Sequence, residues 1–387
     1  MRRIVLRPQF LDDEKLPEAE RVHALREVFN RNIRLKQLER LANAMSSILA
    51  GALPPNILIY GPTGTGKSVT CLHFLSSLAA LCDSQSVRFR YFYLDLTTPK
   101  TCFGALNELA IALDGSVRRY RKGIALEHIQ ETIITALAEF EGTVCVLIDE
   151  IDNITFDADV FLTFLVKTLP KRVPPGLCFV FLTNRLSWDK NLDPRLLSVL
   201  KKQDMIFEPY DALDLMEILR LRVEKALDPA RVEDGAVRKI AAYASRETGD
   251  ARKAVELLAK AVKVAEETSG RLTEREVDVA EHSLEIDKTE ELIGALAVQQ
   301  RLALKGCYAG LTKERKRLST GSAFVWYQGV CEREGTRALT QRRFSDMVSF
   351  LDLYGLINAR AISKGRYGKT RELSSALSEQ VVHKILR

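Results

Sequence analysis

The octet Gly61-Pro62-Thr63-Gly64-Thr65-Gly66-Lys67-Ser68 fits the pattern G-x-x-x-x-G-K-[ST] at every position. Before it, Asn56-Ile57-Leu58-Ile59-Tyr60 reads as a buried strand; after it, Ser68 to Leu81 has helical spacing. A strand, a glycine-rich turn and a helix in that register form a phosphate cradle. The glycines let backbone N–H groups face the phosphates, and the helix N-terminus adds positive potential. Lys67 is expected to reach the β- and γ-phosphates and the Ser68 hydroxyl to ligate Mg²⁺, with Val69 in the first helical turn beside them.

The rest of the N-terminal half agrees. Val87–Leu96, Thr143–Ile148 and Leu177–Leu182 read as further strands, with helices around Phe103–Leu113 and Leu126–Phe140. Strands alternating with helices predict a mostly parallel sheet. The third strand ends in Asp149-Glu150-Ile151-Asp152. Beside a phosphate cradle, Asp149 is expected to hold Mg²⁺, and Glu150 to orient or deprotonate an attacking water. The fourth strand ends in Thr183-Asn184, where an Asn either positions that water or simply makes a turn. Glu18 to Leu49 has helical spacing throughout and predicts a helix ahead of the first strand, preceded by a polar arm over residues 1–20.

After Met205 no strong strand appears for about 90 residues. Asp211 and Asp250 are placed to cap helices, and Thr273-Glu274-Arg275-Glu276 is a capping box. Charge then shifts. Residues 301–387 hold 17 Lys and Arg against 7 Asp and Glu, leaving 40 basic and 44 acidic groups elsewhere. A basic terminal module on a slightly acidic body suits nucleic-acid contact as well as it suits a solubilising surface. No apolar run reaches the roughly 18–20 residues of a membrane span, and the N-terminus does not read as a secretory signal. Seven widely spaced cysteines without a C-x-x-C pair argue against a disulfide framework or a zinc site. The expectation is a cytoplasmic protein with no membrane partner.

Together these residues resemble an AAA+ ATPase. The resemblance implies ATP and ADP as ligands with Mg²⁺, and makes Asn184 a sensor of the γ-phosphate. Gly249-Asp250-Ala251-Arg252 resembles the start of that family's second sensor helix, which implies that Arg252 reaches the γ-phosphate from a helical lid. Leu192-Asp193-Pro194-Arg195-Leu196-Leu197-Ser198 resembles the box carrying its arginine finger, which implies that Arg195 acts on a neighbouring subunit's nucleotide. From about residue 20 onward the chain is similar to the archaeal origin-recognition-complex-like replication initiators. Pro209-Tyr210-Asp211 resembles that subfamily's approach to the lid, which implies that Tyr210 lies near the nucleotide base. Leu339–Asp346, Leu353–Ile357 and Ile362–Arg371 together resemble its winged helix. The leucine-proline-histidine-arginine signature expected before the first helix is missing; only Leu16-Pro17 is found. The implied architecture is an α/β AAA+ P-loop ATPase domain (parallel sheet, residues 21–205), an all-helical lid (206–288) and a C-terminal winged-helix domain (289–387).

The basic module has its own logic. Thr340 is placed to cap a helix whose first turn carries Gln341, Arg342 and Arg343, over a buried stripe of Phe344, Met347, Val348 and Leu351. Recognition helices read bases with such N-terminal residues. Lys364-Gly365-Arg366-Tyr367-Gly368-Lys369 reads as a tight hairpin tip suited to a minor groove or to phosphates. Ser116–Gly123, with Arg118, Arg119, Arg121 and Lys122 around Tyr120, is a basic loop in the part of the fold where the resembled family carries a DNA-touching insertion. The expected function is an ATP-dependent initiator that binds double-stranded origin DNA and hydrolyses ATP slowly. Its expected partners are further copies or paralogues and a replicative helicase. A clamp-loader or helicase-loader ATPase with only non-specific DNA contact is the main rival. A nucleotide-driven oligomerising switch and a plain transcription regulator also fit these residues.

Overall fold

The computed structural model describes residues 4–5, 33–121, 123–200, 202–314, 317–363 and 369–386. They divide into two units at 277/278.

The first unit is built on a five-stranded, all-parallel sheet: β1 (Asn56–Tyr60), β2 (Phe89–Asp95), β3 (Thr143–Asp149), β4 (Gly176–Thr183) and β5 (Lys202–Ile206), in the order β2-β3-β4-β1-β5. Side chains alternate across a strand. Leu58, Val146, Ile148, Phe179 and Phe181 therefore face one core, and Ile57, Ile59, Leu147, Val180 and Leu182 the other. Burial on both faces explains why the central strands read as unbroken apolar runs. On one face lie α1 (Leu35–Met45) and α2 (Lys67–Ser84). The other is covered by α3 (Cys102–Leu113), α4 (Leu126–Leu137), α5 (Ala158–Thr163) and α6 (Pro194–Leu200).

Two expectations are corrected here. β5 was not foreseen: it is an edge strand in which only Met205 is buried, so it carries no apolar run. The helix predicted from Glu18 begins, among the described residues, only at Leu35. Arg34 has φ 61°, the left-handed conformation, through which no α-helix continues.

The helical part of this unit comprises α7 (Ala212–Ala226), α8 (Asp234–Glu247) and α9 (Ala251–Glu267). Asp211 and Asp250 cap α7 and α9, accepting the Asp214 and Arg252 backbone N–H groups at 2.8 and 2.7 Å. The N-terminus is tied to these helices. Glu266 Oε1 accepts the Ile4 and Val5 N–H groups, and Val5 bridges to Leu227. α10 (Glu274–Ala295) runs unbroken through 288/289, where the sequence suggested a domain boundary.

In the second unit, α11 (Val298–Lys313), α12 (Thr320–Arg333) and α13 (Gln341–Leu353) pack around a three-stranded antiparallel sheet. The sheet joins β6 (Leu318–Ser319), β8 (Lys369–Ser374) and β7 (Asn358–Ser363) in that order. A final helix, α14 (Glu379–Leu386), closes the chain. Gly306 lets α11 and α12 approach closely: a Cβ there would lie 2.6 Å from the Tyr327 Cα. The Tyr327 and Phe344 rings stack at 5.1 Å, fixing α13 on this core.

Candidate nucleotide and DNA sites

The turn from β1 to α2 folds back on itself around Lys67. Its ammonium donates to the Gly61 and Pro62 carbonyls at 2.8 Å each and to Asn184 Oδ1 at 2.9 Å. Thr65 Oγ1 also donates to the Pro62 carbonyl. Gly64 and Gly66 have φ of +70° and +79°, a conformation glycine adopts without steric cost. Space excludes side chains as well. A Cβ on Gly64 would lie 1.6 Å from Asp250 Oδ1, and one on Gly66 would lie 2.1 Å from the Tyr210 hydroxyl. Both glycines are thus where the helical segment closes on the cradle. The Ala251 N–H adds a hydrogen bond to the Gly64 carbonyl at 3.2 Å.

Between cradle and helices lies a cavity of about 150 Å³. Thr63, Gly64, Thr65, Gly66, Lys67, Ser68 and Val69 line it on one side, with Asp149, Glu150 and Asn184. Tyr210 and Arg252 line it on the other. Gly61 and Pro62 contribute through the carbonyls that hold Lys67. Every residue assigned to the nucleotide from the sequence is therefore gathered at one place, except Arg195. That side chain projects from the exposed start of α6 and does not line the cavity.

The acidic end of β3 is tightly specified. Asp149 Oδ1 accepts the Glu150 N–H at 2.9 Å, and Asp149 Oδ2 accepts the Tyr93 hydroxyl at 3.1 Å. Glu150 sits at φ 54°, with its carboxylate accepting from Asn153 Nδ2 at 2.5 Å. A non-glycine residue held left-handed is strained and persists only because its surroundings over-determine it. Asp152 is buried, accepts the Asn184 N–H at 3.3 Å and faces the Arg185 guanidinium. It thus fixes the backbone at Asn184. Burial lowers the Lys67 pKa, with Asp149 opposing and Arg252 reinforcing that shift. A desolvated ammonium bonded only to neutral oxygens, beside a glycine turn and a helix N-terminus, suits an anionic polyphosphate. Ser68 and Asp149 both reach the cavity and offer the oxygen donors that Mg²⁺ prefers.

Sequence reasoning missed several residues here, Val255 of α9 among them. Arg34, 8% exposed, donates to the Thr65 carbonyl at 2.9 Å and the Glu208 carbonyl at 2.6 Å. Its guanidinium lies 3.9 Å from the Tyr210 ring centroid and 5.4 Å from that of Phe207. It stitches the cradle to the approach of α7, and the missing helix break at Ile33-Arg34 concealed it. Arg222 and Ile218, one helical turn apart on α7, also line the cavity. An arginine at helical spacing carries no signal of which way it faces.

In the second unit Thr340 caps α13, accepting the Arg343 N–H at 3.4 Å. Gln341, Arg342 and Arg343 are exposed in its first turn, while Phe344, Met347, Val348 and Leu351 are buried. β7 and β8 form the predicted hairpin, but Lys364, Gly365, Arg366 and Tyr367 lie outside the described residues, and of Lys369 only the backbone, at the start of β8, is described. The basic loop joins α3 to α4, with Arg118, Arg119 and Arg121 exposed; Lys122 lies outside the described residues. Arg119 is paired with Glu108. Tyr120, among these cations, is half-buried. Its N–H bonds Asn107 Oδ1, its hydroxyl lies 2.8 Å from Thr132 Oγ1, and its ring meets His128 edge-on. It anchors the loop.

Comparison with known proteins agrees with this architecture. Residues 53–184 match an AAA domain, 216–282 the Cdc6 AAA+ ATPase-type lid domain, and 291–385 the CDC6 C-terminal winged helix domain. The ORC1-type DNA replication protein 1 of Archaeoglobus fulgidus is 33% identical over 354 residues, covering 91% of this chain and 86% of that protein. The ORC1-type DNA replication protein of Pyrococcus horikoshii is 31% identical over 389 residues, covering 97% and 92%. The structure of the Aeropyrum pernix ORC1 protein in complex with DNA matches with a TM-score of 0.70 at 29% identity, covering 99% of this chain and 96% of that one. A parallel-sheet domain with a phosphate cradle, a helical lid and a winged helix, aligned with these relatives over nearly its whole length, makes the chain a member of the ORC1/Cdc6 family of AAA+ replication proteins.

Proposed function

We propose that the protein is an ATP-dependent replication initiator that binds origin DNA and uses ATP as a conformational switch. One observation carries the switch: a single cavity is lined by the cradle on one side and by Tyr210 and Arg252 of the lid on the other. In this reading Lys67 and Arg252 contact the β- and γ-phosphates, and Ser68 and Asp149 hold Mg²⁺. Glu150 activates the water that Asn184 helps to place. A ligand touching both walls stabilises the closed arrangement by its differential affinity for it. Arg195, which does not line this cavity, acts on the nucleotide of another copy or a paralogue, so hydrolysis by an isolated chain is slow.

DNA is held by Gln341, Arg342 and Arg343 in the major groove. The hairpin residues Lys364, Gly365, Arg366, Tyr367 and Lys369 contact the backbone or minor groove, and Arg118, Arg119, Arg121 and Lys122 add phosphate contacts. The Aeropyrum pernix relative, solved with DNA, supports this direction. A replicative helicase is the partner such an initiator recruits.

The test is recovery and sequencing of genomic DNA fragments bound by the full chain with ATP. Enrichment at one or a few loci supports an initiator. Uniform recovery that falls steeply with salt means backbone binding alone and favours the loader reading. No recovery leaves only the ATPase.

A further inference from the structure

The helix that carries Arg195 is short. α6 has seven residues, too few to hold its shape without tertiary contacts. Leu196 and Leu200 are buried beneath it, but apolar packing alone fixes position loosely. Two polar side chains define it more sharply. Asn56, the first residue of β1, donates from Nδ2 to the Leu200 carbonyl at 2.6 Å, satisfying one of the carbonyls a helix end leaves open. Its Oδ1 accepts the Phe179 N–H of β4 at 2.9 Å. Lys202, the first residue of β5, places its ammonium 3.1 Å from the Asp189 carboxylate, in the 3₁₀ turn just upstream of α6. The same ammonium is held by Asp204 and lies 3.4 Å from the Tyr60 hydroxyl.

Asn56 and Lys202 are register partners across β1 and β5. Adjacent on the sheet, they reach to opposite ends of the segment that carries Arg195. Lys202 is only 12% exposed and Asp189 20%, so this ion pair is far less screened than a surface one. Burial alone would lower the Lys202 pKa, but bonds to Asp204, Asp189 and Tyr60 raise it, so the cation persists.

We propose that Asn56 and Lys202 are positioning residues for Arg195, clamping the segment that carries it at one end to β1, the strand that leads into the protein's own nucleotide cradle, and at the other to β5, the strand paired with it. The finger helix then cannot shift independently of the sheet, so a neighbour's γ-phosphate meets Arg195 at a fixed distance from this chain's own site. Misplacement of a catalytic group by about 1 Å costs on the order of 100-fold, so the clamp is felt in turnover. The inference rests on the reading that Arg195 acts on another copy.

The test separates donor from acceptor. Glu150→Gln supplies a finger but does not hydrolyse, and Arg195→Ala hydrolyses only with a supplied finger. Mixed as full chains with genomic DNA fragments, the pair is expected to turn over ATP well above either alone. Adding Lys202→Met to the Glu150→Gln donor should reduce that stimulation tenfold or more. Adding it to the Arg195→Ala acceptor should change it less than twofold. Asp189→Asn in the donor should reproduce the loss, and Lys202→Arg should restore most of the stimulation. Equal loss in both arms would mean general destabilisation, and an unaffected donor would mean no clamp; either overturns the inference alone. Absence of stimulation in the original mixture would overturn the trans reading and this inference with it.

Discussion

Gly64→Ala is the perturbation whose effect the structure specifies best. The residue sits at φ +70°, where a side chain costs roughly 1–2 kcal/mol. The new Cβ would also lie 1.6 Å from Asp250 Oδ1 and 2.1 Å from its Cγ. Asp250 has no room to yield cheaply, because it is 7% exposed and its carboxylate caps α9 through the Arg252 N–H. Displacing it forfeits a helix cap, about 0.5–2 kcal/mol, or else holds the lid away from the cradle. The two contributions together amount to about 1.5–4 kcal/mol, which predicts nucleotide binding weakened roughly 12- to 700-fold. Titration with a fluorescent ATP analogue measures this directly. Glycine caps a helix nearly as well as aspartate. Adding Asp250→Gly therefore removes the collision and should recover about tenfold, leaving only the backbone contribution of about 1–2 kcal/mol. Unchanged affinity in the single variant would refute the close approach of lid and cradle. A double variant no better than the single one would show that the loss comes from the loop alone.

Glu150→Gln should keep ATP affinity within about threefold while hydrolysis, followed by phosphate release, falls at least about 100-fold; parallel loss of both would remove its catalytic role. Arg342→Ala should weaken DNA binding by about 1–3 kcal/mol without changing ATP affinity, and fluorescence anisotropy at fixed salt would expose a failure. Glu276→Gln tests the start of α10. Burial alone would raise the Glu276 carboxyl pKa, but hydrogen bonds from Thr273 and Ser269 hold it below its usual value. A depressed carboxyl stabilises the fold above its unfolded pKa and ceases to do so as pH falls through the folded value. The substitution should therefore cost about 1 kcal/mol at pH 7, with the difference closing below about pH 4.5. Urea unfolding midpoints that differ equally at both pH values would contradict this.

What the sequence discloses follows from how strongly each residue's surroundings are dictated locally. The cradle is legible because glycine, lysine and serine spacing encodes its geometry without help from distant residues. The central strands are legible because both faces are buried, so Val144–Ile148 and Leu177–Leu182 are apolar throughout. β5 fails that test, since Lys202, Gln203 and Asp204 precede its one buried residue, Met205, and its pairing with β1 is decided by the sheet. The break at Arg34 is hidden because helical periodicity runs on across it, whereas the left-handed turn is imposed by contacts to Thr65, Glu208 and Tyr210, distant in sequence. Tyr210 belongs both to the core and to the cavity wall: the ring is buried against Arg34, and the residue still lines the cavity. Tyr120 shows what cation clustering leaves unsaid: its hydroxyl and backbone N–H are engaged by Thr132 and Asn107, both outside the loop.

The same contacts limit how the proposed switch can work. Gly64 meets Asp250, Gly66 meets Tyr210, and Arg34 joins the Thr65 carbonyl to that of Glu208. Three consecutive residues of the cradle thus each have a partner at the lid or its approach. Lid angle and cradle shape cannot then vary separately: opening the lid releases Asp250 and Tyr210 from the glycines, and distorting the cradle pushes on both. A nucleotide biases this coupled element only through contacts that differ between its states. In the proposed reading Arg252 supplies such a contact, because its backbone is fixed by the Asp250 cap that packs on Gly64. Removing the γ-phosphate takes away the partner proposed for Arg252 while leaving the cradle's hold on the remaining phosphates. ADP would therefore be retained with the lid less constrained, whereas a ligand held by the cradle alone would shift nothing however tightly it bound.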